Sequence, residues 1–296
     1  MAGSTQPTFF VTGAAGHFGR RVTELLLDAQ VGTVVAGTRS PERIADLAAR
    51  GAETRPADFD DPASLDAAFA GVDKLLIVST DALGMPGVRQ RQQLAAVAAA
   101  VRAGVPELLY TSMPRPEPPS AVSFAPDHWA TEQAIEKSGA RWTMLRNNWY
   151  AENLLHSIPA ALASGKWYTA AGNGRIAYVT REDTARAAAG ALMRKSSNIR
   201  YDITGAEALT QDEVAALVAK AYKKPIEPVH VTDEQMLGGL LAAGVPAVMA
   251  RLTVEFDQNT REGKLATVTD AVEQLTRQPP RALASWLTAE EKRLPD

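Results

Sequence analysis

Three glycines spaced three apart, Gly13, Gly16 and Gly19, lie where the apolar run Thr8-Phe9-Phe10-Val11 gives way to a helical pattern carrying Val22, Leu25, Leu26 and Leu27. Glycine at such points lets a chain turn sharply, lets a pyrophosphate approach bare backbone, and lets the following helix pack close on a sheet. The N–H groups at the helix start then face the anion, with the helix dipole in support. The spacing is Gly-x-x-Gly-x-x-Gly rather than Gly-x-Gly-x-x-Gly. The reading as a phosphate cradle, rather than a structural turn, therefore rests on the place of the triplet at the first strand-to-helix junction.

A second apolar strand, Thr33 to Gly37, runs into Thr38-Arg39-Ser40-Pro41-Glu42-Arg43. A dinucleotide-binding unit places here either an acid for a ribose hydroxyl or a base for a 2′-phosphate. The acid is missing, and Arg39 offers a planar fork of donors suited to phosphate. This favours NADP over NAD; the competing reading of Arg39 is a solvated loop charge. After a third strand, Asp58 stands where it can accept from an adenine amino group with Phe59 alongside, while Asp60 and Asp61 open the next helix.

Other chemistries find little support. None of the six tyrosines has a lysine four residues on, so the usual dehydrogenase pair for protonating an alkoxide is missing. No serine sits in a Gly-x-Ser-x-Gly elbow, and the four histidines are scattered without metal-ligand spacing. No cysteine is present, which removes disulfides, thiolate metal sites and a cysteine nucleophile. A net charge of −3 gives no broad basic field for nucleic acid or an anionic membrane. Met1 to Thr8 shows no basic-then-apolar leader pattern, and no window approaches the roughly 18 apolar residues of a membrane span. A cytoplasmic protein without metal, nucleic-acid or membrane partners is the expectation.

The elements that position these residues alternate. Phe9 to Thr12, Thr33 to Gly37, Lys74 to Ser79, Glu107 to Thr111 and Trp142 to Arg146 read as strands separated by helix-period segments, the pattern of a parallel sheet with helices on both faces. Leu75-Leu76-Ile77-Val78 is apolar on both faces, as a central strand should be. A helix from about Val88 to Ala103 stops at Gly104-Val105-Pro106, and Pro114 to Pro126, with five prolines, is a loop at the C-terminal edge of a strand, where ligands bind in such sheets. Gly165 to Thr180 reads as loop and hairpin. Thr180-x-x-Asp183 and Thr210-x-x-Glu213 read as capping boxes opening helices, and the chain from about Pro228 is mostly helical. The expected fold is α/β, a Rossmann-type doubly wound parallel sheet with a smaller, mostly helical C-terminal substrate lobe. Residues 1–155 form the dinucleotide-binding domain, 176–204 return to it, and 205–296 mainly cover the substrate.

Further strings carry a family resemblance: Asp58-Phe59-Asp60-Asp61-Pro62, Phe69-Ala70-Gly71-Val72-Asp73, Tyr110-Thr111-Ser112, His128-x-x-Thr131-Glu132 and Arg146-Asn147-Asn148-Trp149-Tyr150-x-Glu152-Asn153. With the glycine loop and the Arg39 turn, they resemble the NmrA-like atypical short-chain dehydrogenases, in the branch of the bacterial NADPH quinone oxidoreductases and triphenylmethane reductase. The resemblance runs from about residue 8 to about residue 210 and weakens beyond. It implies an NADPH site with Gly13, Ala15, His17, Phe18 and Gly19 around the pyrophosphate, Arg39 at the 2′-phosphate, and Ser79 and Thr80 along the nicotinamide. Asn148, Trp149 and Tyr150 would approach the nicotinamide and substrate. His128 falls where related isoflavone reductases place a lysine, so His128 and Tyr150 are the catalytic candidates; a buried histidine that fixes a loop is the equal alternative for His128. Gln93 departs from the histidine common in quinone reductases, and the loop Pro114 to Pro126 with Trp129 is this chain's own.

The expected activity is NADPH-dependent hydride transfer to an electron-poor acceptor, a quinone, conjugated carbonyl or cationic dye, for which a missing acid is tolerable. Trp149, Tyr150, Phe124 and Trp129 are the candidates to stack on such an aromatic substrate. The alternative is a non-catalytic NADP(H)-binding redox sensor of the NmrA type.

Overall fold

The computed structural model describes residues 6–291; the first five residues of the stretch read as lacking a leader pattern lie outside the described residues. Short apolar segments of period two or with both faces apolar form the strands. They are β1 (Thr8–Val11), β2 (Thr33–Thr38), β3 (Glu53–Pro56), β4 (Lys74–Ile77), β5 (Glu107–Ser112) and β6 (Arg141–Asn147). With β9 (Ile199–Ile203) they make one sheet of seven strands in the order β3-β2-β1-β4-β5-β6-β9. Each paired neighbour from β3 to β6 is parallel. The order reverses between β1 and β4, which makes the C-terminal edge of those two strands the ligand crevice of a doubly wound sheet.

Alternation along the strands assigns the two faces. Phe10, Val35, Leu75, Ile77, Leu108, Tyr110 and Met144 join one buried cluster with Leu65 and Phe69 of α3 (Pro62–Phe69), Ala96 and Ala100 of α4 (Val88–Arg102), and Ile135 of α5 (Ala125–Glu136). The intervening Phe9, Val11, Val34, Leu76 and Leu109 are buried as well, and α1 (His17–Asp28) packs on β1 and β2 with Val22 and Leu26 fully buried. Burial on both sides explains why β4 and β5 read as continuous apolar runs.

The chain forms two compact units. The first comprises 1–113, 126–146 and 184–201, and the second 114–125, 147–183 and 202–296. In the second unit Gly165 to Thr180 is not a hairpin. β7 (Lys166–Thr169) pairs in parallel with β11 (Glu227–His230), and β8 (Arg175–Ile176) pairs antiparallel with β10 (Leu209–Thr210). Helices follow these strands: α8 (Gln211–Tyr222), α9 (Asp233–Ala242), α10 (Ala247–Arg261), α11 (Ala271–Thr276) and α12 (Leu283–Glu291). Thr210 and Glu213 form the expected capping box, and Thr232 and Gln235 form a second one. The proline-rich segment is fastened to α10 and its C-terminal end. Ala121 N–H donates to Asn259 Oδ1 (3.0 Å), Ser123 N–H to Glu255 Oε2 (2.9 Å), and Lys264 Nζ to the Pro119 carbonyl (2.7 Å).

Candidate active site

The loop after β1 is held by its neighbours: Thr12 N–H donates to Leu76 O (3.1 Å), Ala14 N–H to Gly37 O (3.0 Å), and Val78 N–H to Thr12 Oγ1 (2.8 Å). The three glycines answer different demands. Gly13 sits at φ +64°, in the left-handed region. A Cβ on Gly19 would stand 2.5 Å from Gly13 O and 2.8 Å from Thr12 O, so close helix-to-loop packing excludes any side chain there. Gly16 has extended backbone, and a Cβ there would meet only Gly13 O, at 3.4 Å, among the described residues. Nothing within the chain requires glycine at that point. Gly16 keeps an open surface beside the start of α1, which has no side-chain cap and no acid in its first turn. That surface fits a phosphate. Ala15 and Phe18 are half-buried and His17 is exposed on the same loop and helix start.

At the end of β2, Arg39 is exposed, and its guanidinium makes no hydrogen bond or ion pair to the described residues. Asp58 is half-buried and accepts the Asp60 N–H through Oδ1 (3.0 Å), an Asx turn that opens α3. Phe59 belongs to the core cluster under the sheet, so its ring packs as well as borders the site.

Beyond β4 the polar groups multiply. Ser79 N–H donates to Thr111 Oγ1 (2.8 Å), whose hydroxyl faces Ser79 Oγ at 3.3 Å. The hydroxyl oxygens of Thr80 and Ser112 are both buried without a hydrogen-bond partner. An unsatisfied buried hydroxyl costs about 1–3 kcal/mol, so two of them at adjacent strand ends point to a polar ligand that completes them.

His128, on α5, is 4% exposed and engaged at both ring nitrogens. Arg89 Nη2 lies 2.7 Å from Nε2, and Tyr110 Oη lies 2.8 Å from Nδ1 and donates to Gln93 Oε1 (2.7 Å). Burial and the neighbouring Arg89 charge hold its pKa well below the usual histidine value, so the ring is neutral. Burial pushes the Tyr110 phenol far above its usual range, so it too stays protonated.

In the second unit the end of β6 presents Asn147-Asn148-Trp149-Tyr150. Asn148 spends its amide internally: Nδ2 donates to Leu265 O (3.0 Å) and Oδ1 accepts from Trp149 N–H (2.7 Å). Its neighbour Asn147 donates to Tyr150 Oη (3.2 Å) and keeps a buried Oδ1 without a partner. Arg181 lies over the Tyr150 ring, 5.4 Å from its centroid. The Trp149 and Phe256 ring centroids are 3.8 Å apart, and Phe124 stands 5.9 Å from Phe256. Phe256 thus joins two aromatic residues singled out from the sequence, whereas Trp129, half-buried on α5, belongs to the first unit and not to this cluster. Phe256 lies on α10, far outside the recognisable strings, and only its helical spacing within an apolar lobe marks it. No group of His, Asp or Glu able to hold a metal ion occurs among the described residues, and no described helix is long and apolar enough to cross a membrane.

Comparison with known proteins agrees with this geometry. Quinone oxidoreductase 2 of Escherichia coli is 34% identical over 276 residues, covering 93% of this chain and 95% of that protein. The crystal structure of the Escherichia coli NADPH-dependent quinone oxidoreductase complexed with NADPH superposes with a TM-score of 0.89 at 33% identity, covering 95% of this chain and 99% of that one. The Citrobacter sp. triphenylmethane reductase complexed with NADP(H) gives 0.87 at 31% identity, covering 96% and 99%. The profile of the NmrA-like family matches residues 5–291, and the chain is a member of that family.

Proposed function

We propose that this chain is an NADPH-dependent reductase that passes a hydride to an electron-poor acceptor, a quinone or a cationic dye, with the cytoplasm as its compartment. The observation that carries the reading is the cradle at Gly16, open where the chain itself has no need of glycine, next to a β2 end that carries Arg39 and no acid. The relatives are named as reductases of quinones and dyes and are crystallised with NADPH or NADP(H), which supports it. The alternative of a non-catalytic NADP(H)-binding regulator draws no such support.

When bound, the nicotinamide supplies the hydride. The backbone from Gly13 to Gly19 cradles the pyrophosphate, Arg39 grips the 2′-phosphate, and Asp58 takes the adenine amino group. Ser79, Thr80 and Ser112 offer hydroxyls to the carboxamide and ribose end. Trp149, Phe256 and Phe124 present aromatic faces to a flat acceptor. A reduced quinone leaves as a stabilised phenolate and a dye cation becomes neutral, so the residues orient the partners rather than deliver a proton in the same step. This is consistent with the absence of the Tyr-x-x-x-Lys pair.

The test is loss of reduced-nicotinamide absorbance with a panel of quinones and triphenylmethane or azo dyes, using NADPH and NADH in parallel. Turnover with NADPH well above that with NADH is expected. Tight NADPH binding with no turnover across the panel overturns the reductase reading in favour of the regulator.

A further inference from the structure

Arg89 lies in the first turn of α4 and is 7% exposed. Its Nη1 donates to the Thr80 carbonyl, its Nη2 lies 2.7 Å from His128 Nε2, and its Nε is 4.0 Å from Asp127 Oδ2. A guanidinium can only donate, so His128 Nε2 must be the acceptor and the ring proton must sit on Nδ1. Nδ1 then donates to Tyr110 Oη, and the phenol hydrogen goes on to Gln93 Oε1. One cation at the head of the chain fixes the direction of every hydrogen bond behind it.

We propose that Arg89 is a positioning residue of the reductase: it clamps the loop after β4 through the Thr80 carbonyl and, by fixing His128 as its Nδ1–H tautomer, locks that loop to β5 and α5. This rests on the reductase reading above. Residues 78–87 carry no helix or strand, yet they hold Ser79 and Thr80 at the crevice. Three anchors fix the start of this loop. The Thr12 and Thr111 hydroxyls accept from Val78 and Ser79 N–H, and Arg89 holds the Thr80 carbonyl. A buried guanidinium against a neutral imidazole is a poor way to stabilise a core, where an apolar side chain of similar volume does as well. It is a good way to fix a carbonyl and a ring in one geometry, because the two Nη donors leave a single rigid plane. In this arrangement His128 offers neither ring nitrogen to a substrate, and its contribution is to hold Arg89 and Tyr110 in register.

The experiment uses the full chain with histidine labelled with nitrogen-15, the His128 signal being assigned by its loss in His128→Gln. Wild type should show His128 protonated on Nδ1 and neutral at neutral pH. Arg89→Met should release the tautomer to a mixture and lower kcat with a naphthoquinone about tenfold, with the NADPH Kd, read by fluorescence, changed less than about threefold. In the His128→Gln background the same change should cost less than about threefold more. Arg89→Lys, a safeguard should the Met variant not fold, keeps the charge but not the planar fork and should show the same tautomer release. An Nε2-protonated His128 in wild type overturns the inference whatever the turnover. So does a folded Arg89 variant with unchanged kcat, or one whose NADPH Kd rises as far as kcat falls. Absence of turnover in wild type instead overturns the reductase reading.

Discussion

Arg146 meets the carboxylate of Glu132 through two parallel hydrogen bonds, Nε to Oε1 at 3.0 Å and Nη2 to Oε2 at 2.6 Å, with Glu132 fully buried and Arg146 7% exposed. The pair ties α5 to β6, and Arg200 adds a third donor to Oε2 at 3.4 Å. It also joins the two most specific strings in the sequence, His-x-x-Thr-Glu and Arg-Asn-Asn-Trp-Tyr. Removing one member of a buried ion pair costs about 3–5 kcal/mol. Glu132→Gln should therefore lower the urea midpoint sharply with an unchanged m-value, and a midpoint near wild type would contradict this account.

The Arg39 assignment makes a selective prediction. Arg39→Ala should weaken NADPH by about 2 kcal/mol, the cost of losing one partner of a charge-assisted contact, and leave NADH nearly unchanged. Titration of both cofactors decides it, since equal losses would make Arg39 an ordinary loop charge.

Gly16 and Gly19 should part company under substitution. Gly16→Val is expected to fold and to lose NADPH binding, because its side chain enters the space kept for phosphate. Gly19→Ala drives a methyl within 2.5 Å of the Gly13 carbonyl oxygen and should lower the thermal midpoint as well. Circular dichroism melts beside cofactor titrations separate the two; retained NADPH affinity in a folded Gly16→Val would reduce the loop to a turn.

The aromatic cluster bears on the acceptor alone. Phe256→Ala should raise KM for a flat aromatic acceptor roughly tenfold, with the NADPH Kd unchanged. A variant in which only the NADPH Kd moves would remove Phe256 from the acceptor side.

Asp257 gives a pH signature. Burial pushes its carboxyl up to about 6, against the Ala170 N–H that donates to it at 2.7 Å and the Arg261 charge. The folded state then holds this proton more tightly than the unfolded chain does, so the group's penalty is absent below the unfolded pKa of about 4 and grows as pH rises to about 6. Asp257→Asn should be more stable than wild type at neutral pH by about 2 kcal/mol, and this difference should shrink toward pH 4. Denaturant unfolding across that window checks it, and a difference that grows on acidification would reverse the assignment.

The core sheet was legible because its signals are local. Apolar runs of four to seven residues, a glycine at each tight junction and prolines at loop ends mark β1 to β6 within a residue or two. The second unit was less so. The partner of β7 is β11, some sixty residues on, and no local pattern announces a parallel pairing at that range, so the stretch read as a hairpin. Within the site, sequence placed Asn148 but could not distinguish it from Asn147, whose carbonyl oxygen is the one left without a partner. Arg89 and Phe256 escaped because their meaning lies in packing across the fold, through His128 for one and Trp149 for the other.

The proline-rich segment is commonly the part an engineer would exchange to change what an enzyme accepts. Here its backbone is pinned by Asn259, Glu255 and Lys264, all at or just beyond the C-terminal half of α10, the helix that also carries Phe256. Loop and helix therefore form one heritable cassette. A transplanted loop would arrive without its moorings, whereas residues 114–125 exchanged together with 247–264 would carry both the fastening and the aromatic face intact.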